Sequence, residues 1–215
     1  MKFDFSVDNY QAILFDFDGV LAECTDVKSD AFAQLFEEFG YDIVMKVIDH
    51  HVKNGGISRY KKIQYYYSEF LNKEISQEKV NQIAQQFSDL VVKKVIESRW
   101  VKGAKDFLEK YYKKLDLFVV SGTPTGELDL IIKKRGMNKY FKGVYGSPDT
   151  KPTIARKIIR ENNYFYHNIL YIGDSLSDYY DAKKAGINFL GRVKEGMESN
   201  FPEHTKIISN FNEIV

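Results

Sequence analysis

Apolar positions fall into two rhythms along the chain. A run of four, Ala12-Ile13-Leu14-Phe15, stops abruptly at Asp16-Phe17-Asp18-Gly19. So short and continuous a run predicts a strand buried on both faces, as in a parallel sheet. From about Ala22 to Trp100 the spacing is helical throughout. Phe32, Leu35, Phe36 and Phe39 form one stripe, with Gly40 as its stop, and Val44, Val47, Ile48 and His51 form the next. Tyr60, Ile63, Tyr67 and Phe70 make a third behind Ser58 as N-cap; Val80, Ile83, Ala84, Phe87 and Val91 make a fourth behind Ser76. Amphipathic segments with no strand between them predict a small helical bundle.

Beyond Trp100 the pattern alternates. Helices are expected at 104–112, 128–134, from Lys151-Pro152 to about Asn162, and up to Ala185-Gly186. Between them lie strands at Leu117–Val120, near Val144, at Ile169–Ile172 and at Ile187–Leu190. Alternation of this kind implies βαβ units and a parallel sheet covered by helices on both faces. The first strand belongs to the same sheet, so the bundle interrupts an α/β unit just after its opening strand. The expected division is an α/β core over 1–21 and 101–215, with a helical insert over 22–100.

Composition narrows the function classes. Lys plus Arg total 31 against 30 for Asp plus Glu, and this near-neutrality argues against a nucleic-acid partner. No apolar stretch is long enough for a membrane span, and Met1-Lys2-Phe3-Asp4-Phe5 lacks the core of a signal peptide. The single cysteine, Cys24, excludes an intrachain disulfide and a thiolate metal cluster. A cytoplasmic location is expected, as a monomer or homodimer. The 16 Phe and 15 Tyr must serve mainly as core.

In open parallel sheets the active site lies at the carboxyl ends of the strands. Here the apolar runs end at Asp16 and Asp18, at Ser121, and at Asp174 with Asp178 four residues on, while one connection supplies Lys151. Carboxylates gathered at one edge repel one another unless a cation neutralises them, and the usual solution is a divalent metal with oxygen ligands, most often Mg²⁺. With a lysine, a hydroxyl and turns rich in backbone N–H, the set describes a site for a phosphoryl group. Alternate side chains of an extended segment share a face, so Asp16 and Asp18 can divide the labour. Asp16 would attack phosphorus to give an aspartyl-phosphate, while Asp18 would protonate the leaving oxygen and then activate a water.

The segment Asp16-Phe17-Asp18-Gly19-Val20-Leu21 resembles the first motif of the haloacid dehalogenase superfamily. Ser121-Gly122-Thr123 resembles its second motif, Lys151-Pro152 its third, and Gly173-Asp174-Ser175-Leu176-Ser177-Asp178 its fourth. All four stand in the family's order. The resemblance implies a Rossmann-like α/β core with an inserted helical cap, and an Mg²⁺-dependent phosphatase acting on a small phosphorylated metabolite such as a sugar phosphate or phosphoglycolate. It assigns Asp16 as nucleophile and metal ligand, and Asp18 as acid/base with its backbone carbonyl on the metal. Ser121 would bind the phosphoryl group with Gly122 and Thr123 beside it, Lys151 would neutralise charge, and Asp174 and Asp178 would complete the metal site. Gly55-Gly56-Ile57-Ser58-Arg59 resembles the cap loop of the β-phosphoglucomutase-like branch, which implies that Arg59 reaches a second anionic group of the substrate. Cys24 is a departure, since many relatives carry Ser or Thr there to steady the acid/base aspartate.

Rival readings are a phosphosugar mutase, which passes the phosphoryl group back to substrate, and a non-catalytic binding module of the same fold. Gly173 stands where the mutase branch tends to be acidic, and a module without turnover need not keep both Asp16 and Asp18. The resemblance also implies that a dehalogenase would lack Asp18. Other prominent positions have plainer readings. His50 and His51 point about 100° apart on a helix and read as surface or interface positions. Tyr65-Tyr66-Tyr67 reads as packing, Cys24 has no activating basic neighbour in sequence, and the lysine pairs at 93–94, 113–114, 133–134 and 183–184 read as solvated faces.

Overall fold

The computed structural model describes residues 6–54 and 57–214. Gly55 and Gly56 of the cap-loop motif therefore lie outside the described residues. Strand β1 (Ala12–Phe15) is buried along its whole length, as its unbroken apolar run requires. It sits at the centre of a six-stranded parallel sheet between β2 (Asp116–Pro124) and β4 (Ile169–Gly173). Strands β3 (Gly143–Ser147), β5 (Asn188–Arg192) and β6 (Ile207–Ile208) complete the order β3-β2-β1-β4-β5-β6. This order reverses direction at β1, and such a reversal opens a crevice beyond the carboxyl ends of the strands.

The two faces of β1 feed two cores. Ile13 and Phe15 point into the larger one, where Phe15 meets Phe107 of α5 (Ala104–Tyr111) and Phe211. Ala12 and Leu14 face Ile154, Ile158 and Ala182 of α7 (Lys151–Asn162) and α8 (Leu176–Ala185). Between β1 and β2 the chain forms α1 (Thr25–Leu35), α2 (Tyr41–Lys53), α3 (Arg59–Tyr65) and α4 (Gln77–Glu97). Their core is aromatic: Phe32 lies 4.5 Å from Phe87 and Phe36 5.4 Å from Tyr66, centroid to centroid. The outgoing and returning chains run side by side, with Glu23 N–H donating to the Arg99 carbonyl and Val101 N–H to that of Leu21.

Several elements depart from the sequence expectation. Strand β2 continues through Ser121–Thr123 to Pro124, and α6 (Thr125–Lys134) begins at once, so neither Ser121 nor Thr123 caps it. Ser58 occupies the N-cap of α3 without a capping bond, whereas Ser76 does accept from Lys79 N–H. A π-helical turn over Tyr66–Phe70 follows α3. Tyr66 is fully buried and Tyr67 only partly, because Arg59, Lys62, Ile63 and Tyr66 share one buried helix face at ordinary three- and four-residue spacing. Strand β6, only two residues long, carried no readable pattern.

Candidate active site

Asp16 ends β1 and is buried. Its Oδ1 accepts the Phe17 N–H at 2.7 Å, and its Oδ2 lies 3.0 Å from the Lys151 ammonium. Lys151 opens α7, whose first turn is fixed by Pro152, and its amine also reaches Asp178 Oδ1 at 2.5 Å. Lys151 thus bridges two buried carboxylates. Burial alone would lower its pKa, but Asp16 and Asp178 hold it well above the usual lysine range. Burial pushes the Asp16 carboxyl up to about 7, with Lys151 opposing and Asp178 and Asp18 reinforcing the shift. Asp178 also closes a capping box on α8: its carboxylate accepts from Ser175 N–H while the Ser175 hydroxyl accepts from Asp178 N–H. The helix cap and the site share one carboxylate.

Asp174 follows β4. Carboxylate oxygens of Asp16, Asp174 and Asp178 lie within 4.8 Å of one another. Burial, then Asp178 and Asp16, raise the Asp174 carboxyl well above its ordinary value. Gly19 has φ +71°, and a Cβ there would stand 2.0 Å from Asp174 Oδ2, so only glycine lets this carboxylate into the cluster. An all-oxygen, acidic and crowded donor set of this kind fits a hard divalent cation such as Mg²⁺. The carboxylate of Asp18 has other partners. Its Oδ2 pairs with the Lys28 ammonium of α1 at 2.5 Å and its Oδ1 accepts the Cys24 thiol at 3.0 Å. Burial opposes ionisation, yet Lys28 and Cys24 together bring the Asp18 pKa below the usual range. The Cys24 thiol is itself held well up, by burial and by Asp18, so it is a donor here and not a nucleophile.

At the end of β2, the Ser121 hydroxyl accepts from Thr123 N–H at 3.2 Å, and Thr123 Oγ1 receives Lys28 at 3.0 Å. Gly122 stands between them and lines the clefts on either side. Arg59 is buried, but its guanidinium is already engaged. It makes a two-pronged pair with Glu127 of α6 at 2.9 and 2.5 Å, donates to Ser88 and stacks on Phe87. Arg59 therefore ties α3 and α4 to α6. Two larger clefts open on the site: one of ≈ 730 Å³ beside Lys151 and Ser121, one of ≈ 400 Å³ beside Asp16, Asp174 and Arg192.

Residues 13–192 match the family of haloacid dehalogenase-like hydrolases. The chain belongs to that family. No curated protein matches the chain. Among solved structures, a family IA haloacid dehalogenase hydrolase from Entamoeba histolytica superposes with a TM-score of 0.78 at 21% identity, covering 95% of each chain. A β-phosphoglucomutase from Clostridium difficile gives 0.77 at 19% identity, with 96% of this chain and 93% of the other covered. A protein described as a predicted phosphoglycolate phosphatase from Haemophilus somnus gives 0.73 at 20% identity over 96% of each. At these identities the likeness establishes the haloacid dehalogenase fold, a parallel α/β core with helices inserted after its first strand.

Within this family member, three basic or titratable residues at the site escape a reading by motif. Lys28 pairs with Asp18, Arg192 holds the Gly19 carbonyl and Glu23, and His51, expected at a surface or interface, is buried beneath Lys62. A signal for one of them exists. Lys28 stands four residues before Phe32, so it lies on the apolar face of its helix, where a lysine needs a reason.

Proposed function

We propose that this chain is an Mg²⁺-dependent phosphomonoesterase that hydrolyses a small phosphorylated metabolite, a sugar phosphate or a phosphoglycolate-like acid, through an aspartyl-phosphate on Asp16. The observation that carries it is the bridge of Lys151 between Asp16 and Asp178, beside Asp174. Asp16, Asp174 and Asp178, with the Asp18 carbonyl, would hold the cation, which screens the negative charge of the phosphoryl group. Asp16 Oδ attacks phosphorus as the bond to the leaving oxygen breaks, and Asp18, protonated by the acidic proton that the ester brings in as its monoanion, passes that proton to the leaving oxygen. In the second half Asp18 takes a proton from water, whose oxygen attacks phosphorus, so that phosphate departs and the Asp16 carboxylate is restored. The Cys24 thiol and the Lys28 ammonium each fix one oxygen of Asp18 in the ionised form that this second half needs. Ser121 and the N–H groups near Gly122 would bind the transferring oxygens.

Transfer to water is favoured over transfer back to substrate. The mutase branch tends to carry an acid at the position of Gly173, and here a Cβ would stand 2.4 Å from Cβ of Asp178. The test is phosphate release from an aryl phosphate. The expected result is turnover with Mg²⁺ that falls at least about 100-fold when a chelator removes the metal. Turnover indifferent to the chelator, or none with any divalent metal, contradicts the reading.

A further inference from the structure

Lys62 lies on the buried face of α3, one turn after Arg59, with 1% of its surface exposed. Its amine donates to His51 Nδ1 at 2.7 Å and to the His51 carbonyl at 3.3 Å. Neither partner carries charge, because burial and the neighbouring lysines keep the His51 ring neutral. Nearby carboxylates are committed elsewhere: Asp18 to Lys28, Asp16 to Lys151 and Glu127 to Arg59. Among the described residues, Lys62 forms no ion pair. A buried amine without a counter-charge is costly, and burial with Lys28 alongside pushes its pKa down to about 7. An apolar residue of the same volume would serve the helix better, so stability does not account for it.

What Lys62 faces does. A small cavity of ≈ 20 Å³ has Lys28, His51, Arg59 and Lys62 on its helical side and Asp16 and Asp18 on its sheet side. A group entering beside Asp18 is the leaving group of the ester. Arg59 cannot answer it without giving up Glu127, whereas the Lys62 ammonium is free to exchange its neutral histidine contact for an anion. A cavity of this volume holds about one water molecule, so no sugar ring fits beside Lys62.

We propose that Lys62, seated on His51, is a specificity-determining residue that binds a carboxylate on the leaving group, so that the preferred substrates are phosphate esters of small hydroxy acids. This rests on the phosphomonoesterase reading above and narrows its substrate class. As the ammonium must donate, His51 Nδ1 accepts and the ring proton sits on Nε2; His51 is a positioning residue.

The experiment measures binding to the Asp16→Asn protein, which would hold an ester without transferring its phosphoryl group, by calorimetry with Mg²⁺ present. The probes are 2-phosphoglycolate against 2-hydroxyethyl phosphate, and 3-phosphoglycerate against glycerol phosphate. At least one acid is expected to bind on the order of 10- to 100-fold more tightly than its neutral partner. Adding Lys62→Met should erase that preference and Lys62→Arg should keep part of it, with thermal unfolding confirming that each variant is folded. Equal affinity within both pairs, no binding of either acid, or a preference that survives Lys62→Met overturns the proposal. Turnover of an aryl phosphate by the wild type, which needs no carboxylate, judges the hydrolase reading separately.

Discussion

Asp16→Asn is expected to lower phosphate release by at least about 10⁴-fold while leaving the protein folded. The carboxamide keeps the size of the side chain and can keep the acceptor bond to Phe17 N–H, but it cannot form an acyl-phosphate with the same ease. The substitution also removes one of three carboxylates crowded within 4.8 Å, at a site where burial, reinforced by Asp178 and Asp18, holds Asp16 itself up to about 7. Metal-free Asp16→Asn should therefore unfold at a temperature equal to or above that of the wild type. Loss of activity with retained or improved stability separates a role in chemistry from one in folding. A variant that keeps a tenth of wild-type turnover would mean that Asp16 is not the nucleophile.

Lys151→Met carries the opposite signature, losing both activity and stability. Lys151 is 4% exposed and holds Asp16 and Asp178 at 3.0 and 2.5 Å. Methionine fills the volume but leaves two buried carboxylates without their cation, a loss of about 3–5 kcal/mol. For a chain of this length that corresponds to a fall in Tm of roughly 10 °C. The wild-type pKa of Lys151 lies above its unfolded value, so its contribution is complete across neutral pH and disappears only in strong base. The deficit of Lys151→Met should narrow as acid protonates the stranded Asp16 carboxyl. Urea unfolding at neutral and mildly acidic pH reads both effects; a deficit under about 1 kcal/mol at neutral pH would show that the bridge contributes little.

These residues were legible in the sequence for a physical reason. Asp16, Ser121 and Asp174 each mark the point where an apolar strand gives way to polar residues, and Lys151 stands beside the proline that starts α7. The chain direction of a parallel sheet brings such points to one edge, so their convergence follows from the topology. Asp178 stands in the first turn of α8, where its carboxylate closes the capping box with Ser175 and also meets Lys151. Contacts made across the helices had no such rule. The Lys28–Asp18 pair, the Lys62–His51 contact and the engagement of Arg59 by Glu127 depend on how α1, α2 and α3 lie over the sheet edge. Sequence spacing within a helix gives a face, but not what that face meets. The tyrosine run shows the same limit: Tyr66, in step with Arg59, Lys62 and Ile63, enters the core while Tyr67 stays partly exposed.

Covalent capture of the intermediate tests the central claim most directly. Rapid acid quenching during turnover, followed by borohydride reduction and peptide mass spectrometry, converts an aspartyl-phosphate into homoserine at the modified position. Homoserine at residue 16 in the wild type, dependent on substrate and absent from Asp16→Asn, is the predicted result. Turnover with no modification at residue 16, or modification at Asp18, Asp174 or Asp178 instead, would contradict the mechanism.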